Sequence, residues 1–458
     1  MRKEVSENFF DSNKLTNFSK HEIVVLCPTR VSGTLNQSLR RVLKYLTENG
    51  YKTTLIIQDK PSGLFDDIAN STDIITVPSI LGFIFAHFKR LYSLLKRFFT
   101  KKSMEEKNVS LPRFDEVIPF SNDSVIQELM SLIKSVESVV IISLWFFYQR
   151  LRGKYKKSII WGYERAGAIV GLVISRAFKL PLVTSFQGTI LYPWLVSRGH
   201  LKTFLRFPFD YISTSIKSDL VIMTNDGTNG DRVLHILKHS IERILFLPNG
   251  IDYKDIYPFI EERKKFLAER IKNGKNEYIF VVASRLDPWK RVDRAIYVAE
   301  ALKKAGIKFK LLIIGTGKVE KELMRLAKEL EVSEHVNFLG RRSYNETIKL
   351  IAFSDILFSF CDHSNFTNSV QDALALGVPV LTLEDGSLDF FKGHKLLFKV
   401  PLSECFPEKT ANVVKLILED MVDKNFDSEK FKLPTWEERM KRISESLDRL
   451  TQNSKSHN

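Results

Sequence analysis

The chain has 458 residues, a formal net charge of +15, 44% hydrophobic residues and three cysteines. That length outgrows one hydrophobic core, so about two domains of roughly 200 residues each are expected. The scattered Cys27, Cys361 and Cys405 exclude a disulfide framework and favour a reducing, cytoplasmic setting.

Residues 1–20 lack the apolar core of a secretory signal, and no stretch reaches the roughly 20 uncharged apolar residues of a spanning helix. Residues 22–28, EIVVLCP, predict a first strand, and 35–49 the helix after it. Strands at 53–58, 74–78, 158–163, 182–187 and 220–225 follow, with helical patterns between most of them, as in a parallel sheet covered on both faces. Within 79–103, Ile84, Phe88, Leu91, Leu95 and Phe98 recur at helical spacing among six Lys and Arg and no acid. Such a helix lies on an anionic membrane surface or packs its apolar face on the sheet. After PNGID at 248–252 the sequence turns polar through 275, and a second series opens: strand 278–283, helix 292–305, strand 308–315, helix 318–330, strand 336–340, helix 345–353, strand 356–360, helix 368–376 and strand 378–383. The expected fold is α/β, two Rossmann-like doubly wound domains facing across a cleft. They span 20–250 and 266–425, with a linker at 251–265 and a last helix at 426–450.

Three groups of residues fall where strands end, the place at which open α/β sheets bind ligands. Arg285 and Lys290 follow the strand FVVAS; the pair suits a diphosphate, Arg as a planar fork and Lys as a point charge, and equally suits a solvated turn. Gly315 and Gly317 form a G-x-G turn between a strand and a helix, which lets backbone approach a ligand or simply turns the chain. Ser364, Asn368, Ser369 and Asp372 belong to a polar loop and helix start. Amides and side chains there can grip a phosphate, and Asp372 can accept ribose hydroxyls or complement the helix dipole.

The order and spacing of these parts resemble the second domain of retaining glycosyltransferases of the GT-B fold, glycosyltransferase family 4. The family runs from a strand with Arg and Lys near its end, through a glycine turn and an N-F-x-G strand, to an E-x7-E segment and an E-A-x-A-x-G-x-P-V helix and strand. Here stand Arg285, Lys290, Gly315, Gly317, Asn337-Phe338-Leu339-Gly340 and Asp372-Ala373-Leu374-Ala375-Leu376-Gly377-Val378-Pro379-Val380. Ser32-Gly33-Thr34 is similar to the family's donor-facing glycine loop, Pro248-Asn249-Gly250-Ile251-Asp252 to its inter-domain element, and Trp436-Glu437 to its last helix, which crosses back onto the first domain. The likeness is dense after residue 245 and sparse before it.

Two departures stand out. Ser364 occupies the place of the first acid of E-x7-E, with Asp362 and His363 nearby as substitutes, and the second acid is Asp372 rather than Glu. Where many relatives carry a histidine after the strand at 182–185, this chain has Gln187 and Gly188; a glutamine can bond a sugar hydroxyl but is neither acid nor base.

The resemblance implies a retaining transferase that moves a sugar from a nucleotide diphosphate sugar to a glycan or lipid-linked acceptor. No metal and no cofactor are expected: the chain has no Asp-x-Asp and no His/Cys cluster with ligand spacing. Arg285 and Lys290 would meet the leaving diphosphate, Asn368 and Ser369 the phosphate or sugar, Asp372 the ribose, Gln187 and Gly188 the sugar or acceptor side, and Gly33 and Gly315 would allow close backbone approach. The setting is cytoplasmic, peripheral at the membrane if 79–103 binds lipid. An epimerase or phosphorylase on the same fold and a nucleotide-sugar-binding subunit without turnover are the alternatives; nucleic-acid binding lacks any module.

Overall fold

A computed structural model describes residues 20–28, 37–58, 68, 70–79, 111–117, 125–273, 277–423 and 433–455. Gly33 and residues 80–103 of the basic stretch lie outside this set.

The first domain holds strands β1 (Lys20–Cys27), β2 (Tyr51–Ile57), β3 (Thr72–Thr76), β4 (Ile159–Tyr163), β5 (Leu182–Phe186), β6 (Leu220–Asn225) and β7 (Ile244–Pro248). They pair in the order β3-β2-β1-β4-β5-β6-β7, all in parallel. Helices α1 (Gln37–Glu48), α2 (Val125–Leu151), α3 (Glu164–Phe178), α4 (Tyr192–Arg206), α5 (Pro208–Thr214) and α6 (Gly230–Ile236) belong with them. Strand β4, IIWGY, and strand β5, LVTSF, are buried at every position, which is why neither shows the in-and-out polar alternation of a half-exposed strand.

The second domain repeats the plan with β8 (Tyr278–Ala283), β9 (Phe309–Ile314), β10 (Val336–Gly340), β11 (Ile356–Ser359), β12 (Val380–Leu383) and β13 (Leu397–Val400). Their order is β10-β9-β8-β11-β12-β13. In both sheets the chain first winds one way and then the other, so a crevice opens between β1 and β4 and between β8 and β11. The helices here are α7 (Tyr253–Asn273), α8 (Val292–Lys304), α9 (Glu320–Glu329), α10 (Tyr344–Ala352), α11 (Asn368–Ala375) and α12 (Phe406–Asp423), followed by α13 (Trp436–Lys455).

Residues 251–265, expected as a linker, open α7 instead. Ile256 is fully buried in the second domain's core, and buried Arg263 donates to the carbonyls of Ala352 and Ser354, both at 2.7 Å. The dense charge along this helix and Pro258 within it dilute its apolar period, so the sequence reads as a connection. The last helix does cross back: Trp436, Met440, Ile443 and Leu447 join the first domain's core, and Arg439 donates to Pro248 O at 2.7 Å and Thr224 Oγ1 at 3.0 Å.

A further tie joins the halves. Residues 111–117, between β3 and α2 in sequence, lie on the second domain, where Leu111 and Phe114 pack against its core and the Phe114 and Tyr297 rings sit 4.9 Å apart.

Candidate functional site

The second domain's site grows from the carboxyl ends of its strands. Beyond β8 the chain makes a short turn, Pro288–Lys290, and Arg291 follows with a left-handed backbone (φ 49°) before α8 begins. An arginine tolerates that conformation only if its surroundings fix it. Arg291 and Arg294 are fully buried, and so is Asp362 between them. Arg291 pairs with Asp293 at 2.9 Å and Arg294 with Asp362 at 2.7 Å. Arg294 also donates to Phe360 O at 2.7 Å, and further guanidinium donors go to main-chain carbonyls of 111–117: Arg291 to Arg113 O at 2.7 Å, and Arg294 to Phe114 O at 2.7 Å and Glu116 O at 2.9 Å.

This buried network anchors the residue before it. Lys290 places its Nζ 4.0 Å from the centre of the Trp289 ring and lines a hollow of about 20 Å³ with Ser284, Thr367 and Ser369 at the crevice between β8 and β11. Arg285 stands outside that hollow, more than half exposed, paired with Asp287 at 3.0 Å and 5.9 Å from the same Trp289 ring.

Helix α11 begins opposite. Thr367 caps it, its hydroxyl accepting from Val370 N at 3.3 Å, and Ser369 Oγ donates to Ala283 O at 2.8 Å, so the serine clamps the helix end to β8. Asn368 Oδ1 accepts from Asn249 Nδ2 at 3.3 Å, which brings the inter-domain element to the same helix end. One turn on, Asp372 is buried and accepts from Tyr344 OH at 3.4 Å. Burial pushes its carboxyl up to about 7, against the opposing pull of the Arg41 charge and the Tyr344 hydroxyl. Arg41 comes from α1 of the first domain and lies 5.9 Å from the Tyr344 ring and 5.2 Å from the Trp436 ring.

The structure therefore gathers Lys290 and Ser369 in one hollow, sets Asn368 beside Asn249, and places Asp372 with Tyr344 and Arg41. Arg285 and Asp372 do not line the Lys290 hollow. The glycine turn serves the chain itself: a Cβ on Gly315, at φ +136°, would stand 1.9 Å from Ser284 O, and one on Gly317 2.3 Å from Leu286 O. Both glycines let the β9 turn pack on the loop that carries Arg285.

At the domain boundary, Ser364 Oγ donates to the carbonyl of Asp226 and accepts from Phe366 N at 3.1 Å. Asp362, a nearby acid, is held by Arg291 and Arg294. His363 faces an open hollow of about 380 Å³ together with Thr189, Tyr192, Trp194 and Thr228 of the first domain. Gln187 directs its amide inward, donating to Tyr163 OH at 2.9 Å and accepting from Thr224 at 3.4 Å. Beside it Gly188 is pressed against the Asp226 carboxylate, which burial raises to about 6 although Thr228 bonds it.

Sequence reasoning did not single out Arg41, Tyr344 or Asp226, which the structure places beside Asp372 and Gly188. Asn249 sat in a recognised motif, but nothing in the local pattern distinguishes Arg41 from Arg40 or Lys44 on the same helix, because its role depends on the other domain.

Residues 263–418 match the family model described as glycosyl transferases group 1. A GDP-mannose-dependent monoacylated alpha-(1-6)-phosphatidylinositol monomannoside mannosyltransferase of Corynebacterium glutamicum is 34% identical over 179 residues, 35% of this chain and 46% of that protein. The chain thus spans about half the length of the curated relatives it matches. Among solved structures, sucrose-phosphate synthase from Thermosynechococcus elongatus superposes with a TM-score of 0.63 at 15% identity, over 94% of this chain and 99% of that one. Anabaena HepE in complex with UDP-glucose gives 0.61 at 15% identity, over 94% and 100%. Such low identity carries the fold alone. The second domain thus resembles the glycosyl transferases group 1 over residues 263–418, and the two doubly wound sheets share the GT-B fold of these structures.

Proposed function

We propose that the chain is a retaining, metal-independent glycosyltransferase that moves a sugar from a nucleotide diphosphate sugar to a glycan or lipid-linked acceptor, in the cytoplasm or at the membrane face that borders it. The observation that carries the reading is the meeting of Lys290 with the amino end of α11 at the crevice between β8 and β11. Glycosyl transfer loads negative charge onto the departing diphosphate, so cationic side chains and helix amides aimed there stabilise the transition state more than the ground state. Lys290 and Arg285 supply the charge, and α11 supplies the amides. Asp372 accepts the ribose hydroxyls, with Tyr344 and Arg41 beside the nucleoside. Among the described residues no three His, Cys, Asp or Glu side chains converge as metal ligands do. The hollow beside His363 and Trp194 offers the acceptor an apolar wall with polar edges.

A second reading, a nucleotide-sugar-binding subunit without turnover, draws on one observation. Ser364 stands in place of an acid and bonds a main-chain carbonyl, while Asp362 is locked between two arginines. Thermal stabilisation by UDP-, GDP- and ADP-sugars identifies the donor, and transfer assays on Lys290→Ala and Arg285→Ala then test the site. Charged hydrogen bonds of about 1.5–3 kcal/mol predict a loss on the order of tenfold or more in each. Unchanged transfer in both variants removes the assignment; tight nucleotide binding without transfer in the unmodified protein selects the second reading. Product NMR showing an inverted anomeric centre overturns retention.

A further inference from the structure

An ordinary surface helix turns its apolar side inward and its polar side to water. Helix α2 is apolar on both sides. Its packed face carries Ser135, Ser138, Ile142 and Phe146, all buried. Its outer face carries Ile133, Val136, Val140, Leu144, Phe147, Tyr148 and Leu151, between 42% and 71% exposed. The spacing puts the two sets on opposite sides of the helix, so the exposed residues form one continuous stripe about four to five turns long. An exposed apolar surface of that extent marks a contact with something else.

By length and composition Ser131–Leu151 could cross a membrane, but its inner face packs against α3 and α5, so it lies along the domain and does not leave it. Helix α5 also packs against α4 and exposes Ile212, and α4 exposes Val196, Leu201, Phe204 and Leu205. Glu137 stands within the stripe near its start, bonded by Ser79 Oγ at 3.0 Å; from Leu144 onward, and along α4, the charge has one sign. Residues 144–157 and 192–206 together hold eight Lys and Arg and no Asp or Glu, and Arg152, Lys154, Lys156, Lys157, Arg198 and Lys202 are exposed. Apolar side chains bordered by cations suit the headgroup layer of an anionic bilayer, into which an apolar helix face sinks by about 5–10 Å.

We infer that the α2–α4 face of the first domain docks on an anionic lipid surface. Helix α4 supplies the link to the cleft: Tyr192, Pro193, Trp194 and Ser197 line the 380 Å³ hollow, while Leu201, Phe204 and Leu205, beyond a kink at Gly199 (φ 74°), face the lipid. Docking would hold the hollow close to the bilayer, where a lipid-borne acceptor is reached without leaving it. The docking itself stands on the surface alone and does not depend on which sugar is moved.

The test is co-sedimentation of the full chain with vesicles of phosphatidylcholine and with vesicles containing roughly one third phosphatidylglycerol. The expected result is binding to the anionic vesicles at least about tenfold tighter than to the neutral ones, weakening with salt. The double variant Val140→Asp with Leu144→Asp, both on the exposed stripe, should lose at least about tenfold of that binding while keeping its far-UV circular dichroism and its thermal stabilisation by UDP or GDP. Lys154→Glu with Lys157→Glu should lose the preference for anionic vesicles. Three results overturn the inference: no sedimentation of the unmodified chain with either vesicle, equal binding by the Val140/Leu144 variant, or a concentration-dependent dimer that this variant dissociates, which would assign the face to a second copy of the chain. Because vesicle binding is read without any sugar donor, its failure is distinct from failure of the transferase reading.

Discussion

Replacing Asp372 with asparagine tests the nucleoside end of the site through the stability of the unliganded protein. The carboxyl sits at about 7 instead of the ordinary 3.8 because it is buried. A folded-state value above the unfolded one means that the native chain holds the proton more tightly. Stability contributed by this group is therefore complete at pH values below 4 and is lost as pH rises through about 7. At about 1.4 kcal/mol per pH unit, the gap amounts to a ceiling of ~4 kcal/mol at pH 8, of which about 2–3 kcal/mol develops between pH 5 and pH 8. The amide of Asp372→Asn has no charge to bury, so the variant should overtake the unmodified protein at pH 8 by up to that amount and differ far less at pH 5. In a domain of this size the gain corresponds to a rise in Tm on the order of 5–10 °C. Differential scanning calorimetry of both proteins at the two pH values reads the effect, and taking the difference cancels other groups such as Asp226. Nucleotide should reverse the ranking: with a charged acceptor pair exchanged for a neutral amide, the diphosphate nucleotide stabilises the variant less, and in the unmodified protein nucleotide affinity should fall as pH drops below about 7. If the stability gap between variant and unmodified protein is the same at pH 5 and pH 8, Asp372 titrates normally and the reasoning fails.

Arg41→Ala removes the cation facing Tyr344 and Asp372 and should weaken nucleotide binding on the order of tenfold, about one charge-assisted hydrogen bond to the nucleotide. It should also move the pH midpoint of that binding upward, which calorimetric titration across pH would record. Gly315→Ala drives a Cβ to 1.9 Å from Ser284 O at a backbone angle of +136°; the urea midpoint should report at least about 2 kcal/mol of lost stability. Asp362→Asn leaves Arg291 and Arg294 short of a buried counter-charge and should cost about 3–5 kcal/mol, seen as an early denaturation midpoint. A shift under about 1 kcal/mol in either of the last two would contradict the packing described.

The strands were the most legible part of the sequence. The apolar runs of β6, β8 and β10 have the boundaries that their residues predict, because strands buried on both faces leave an unbroken hydrophobic signal. Helix α7 was hidden by its charge and by Pro258. Helix α2 escaped because its apolar residues circle the whole helix and leave no period to read. The site shows the same division. Lys290, Ser369 and Asp372 were visible because each sits at a strand or helix end within one domain, and Asn249 because it sits in a motif, whereas Arg41 and Asp226 meet their partners across the boundary between domains, and no local pattern encodes a partner that far along the chain. Gly315 was recognised for its freedom of backbone, but the contact that demands it is Ser284 O.

The short stretch 111–117 bears on how the molecule can be taken apart. Its carbonyls are the termini of guanidinium bonds whose other ends are sealed inside the C-terminal half. A fragment beginning at residue 251 would keep both arginines but forfeit those acceptors and bare the apolar surface on which Leu111 and Phe114 pack. The C-terminal half is thus not a self-sufficient module, and any swing of one lobe against the other must turn between two fixed straps, this one and the returning helix α13.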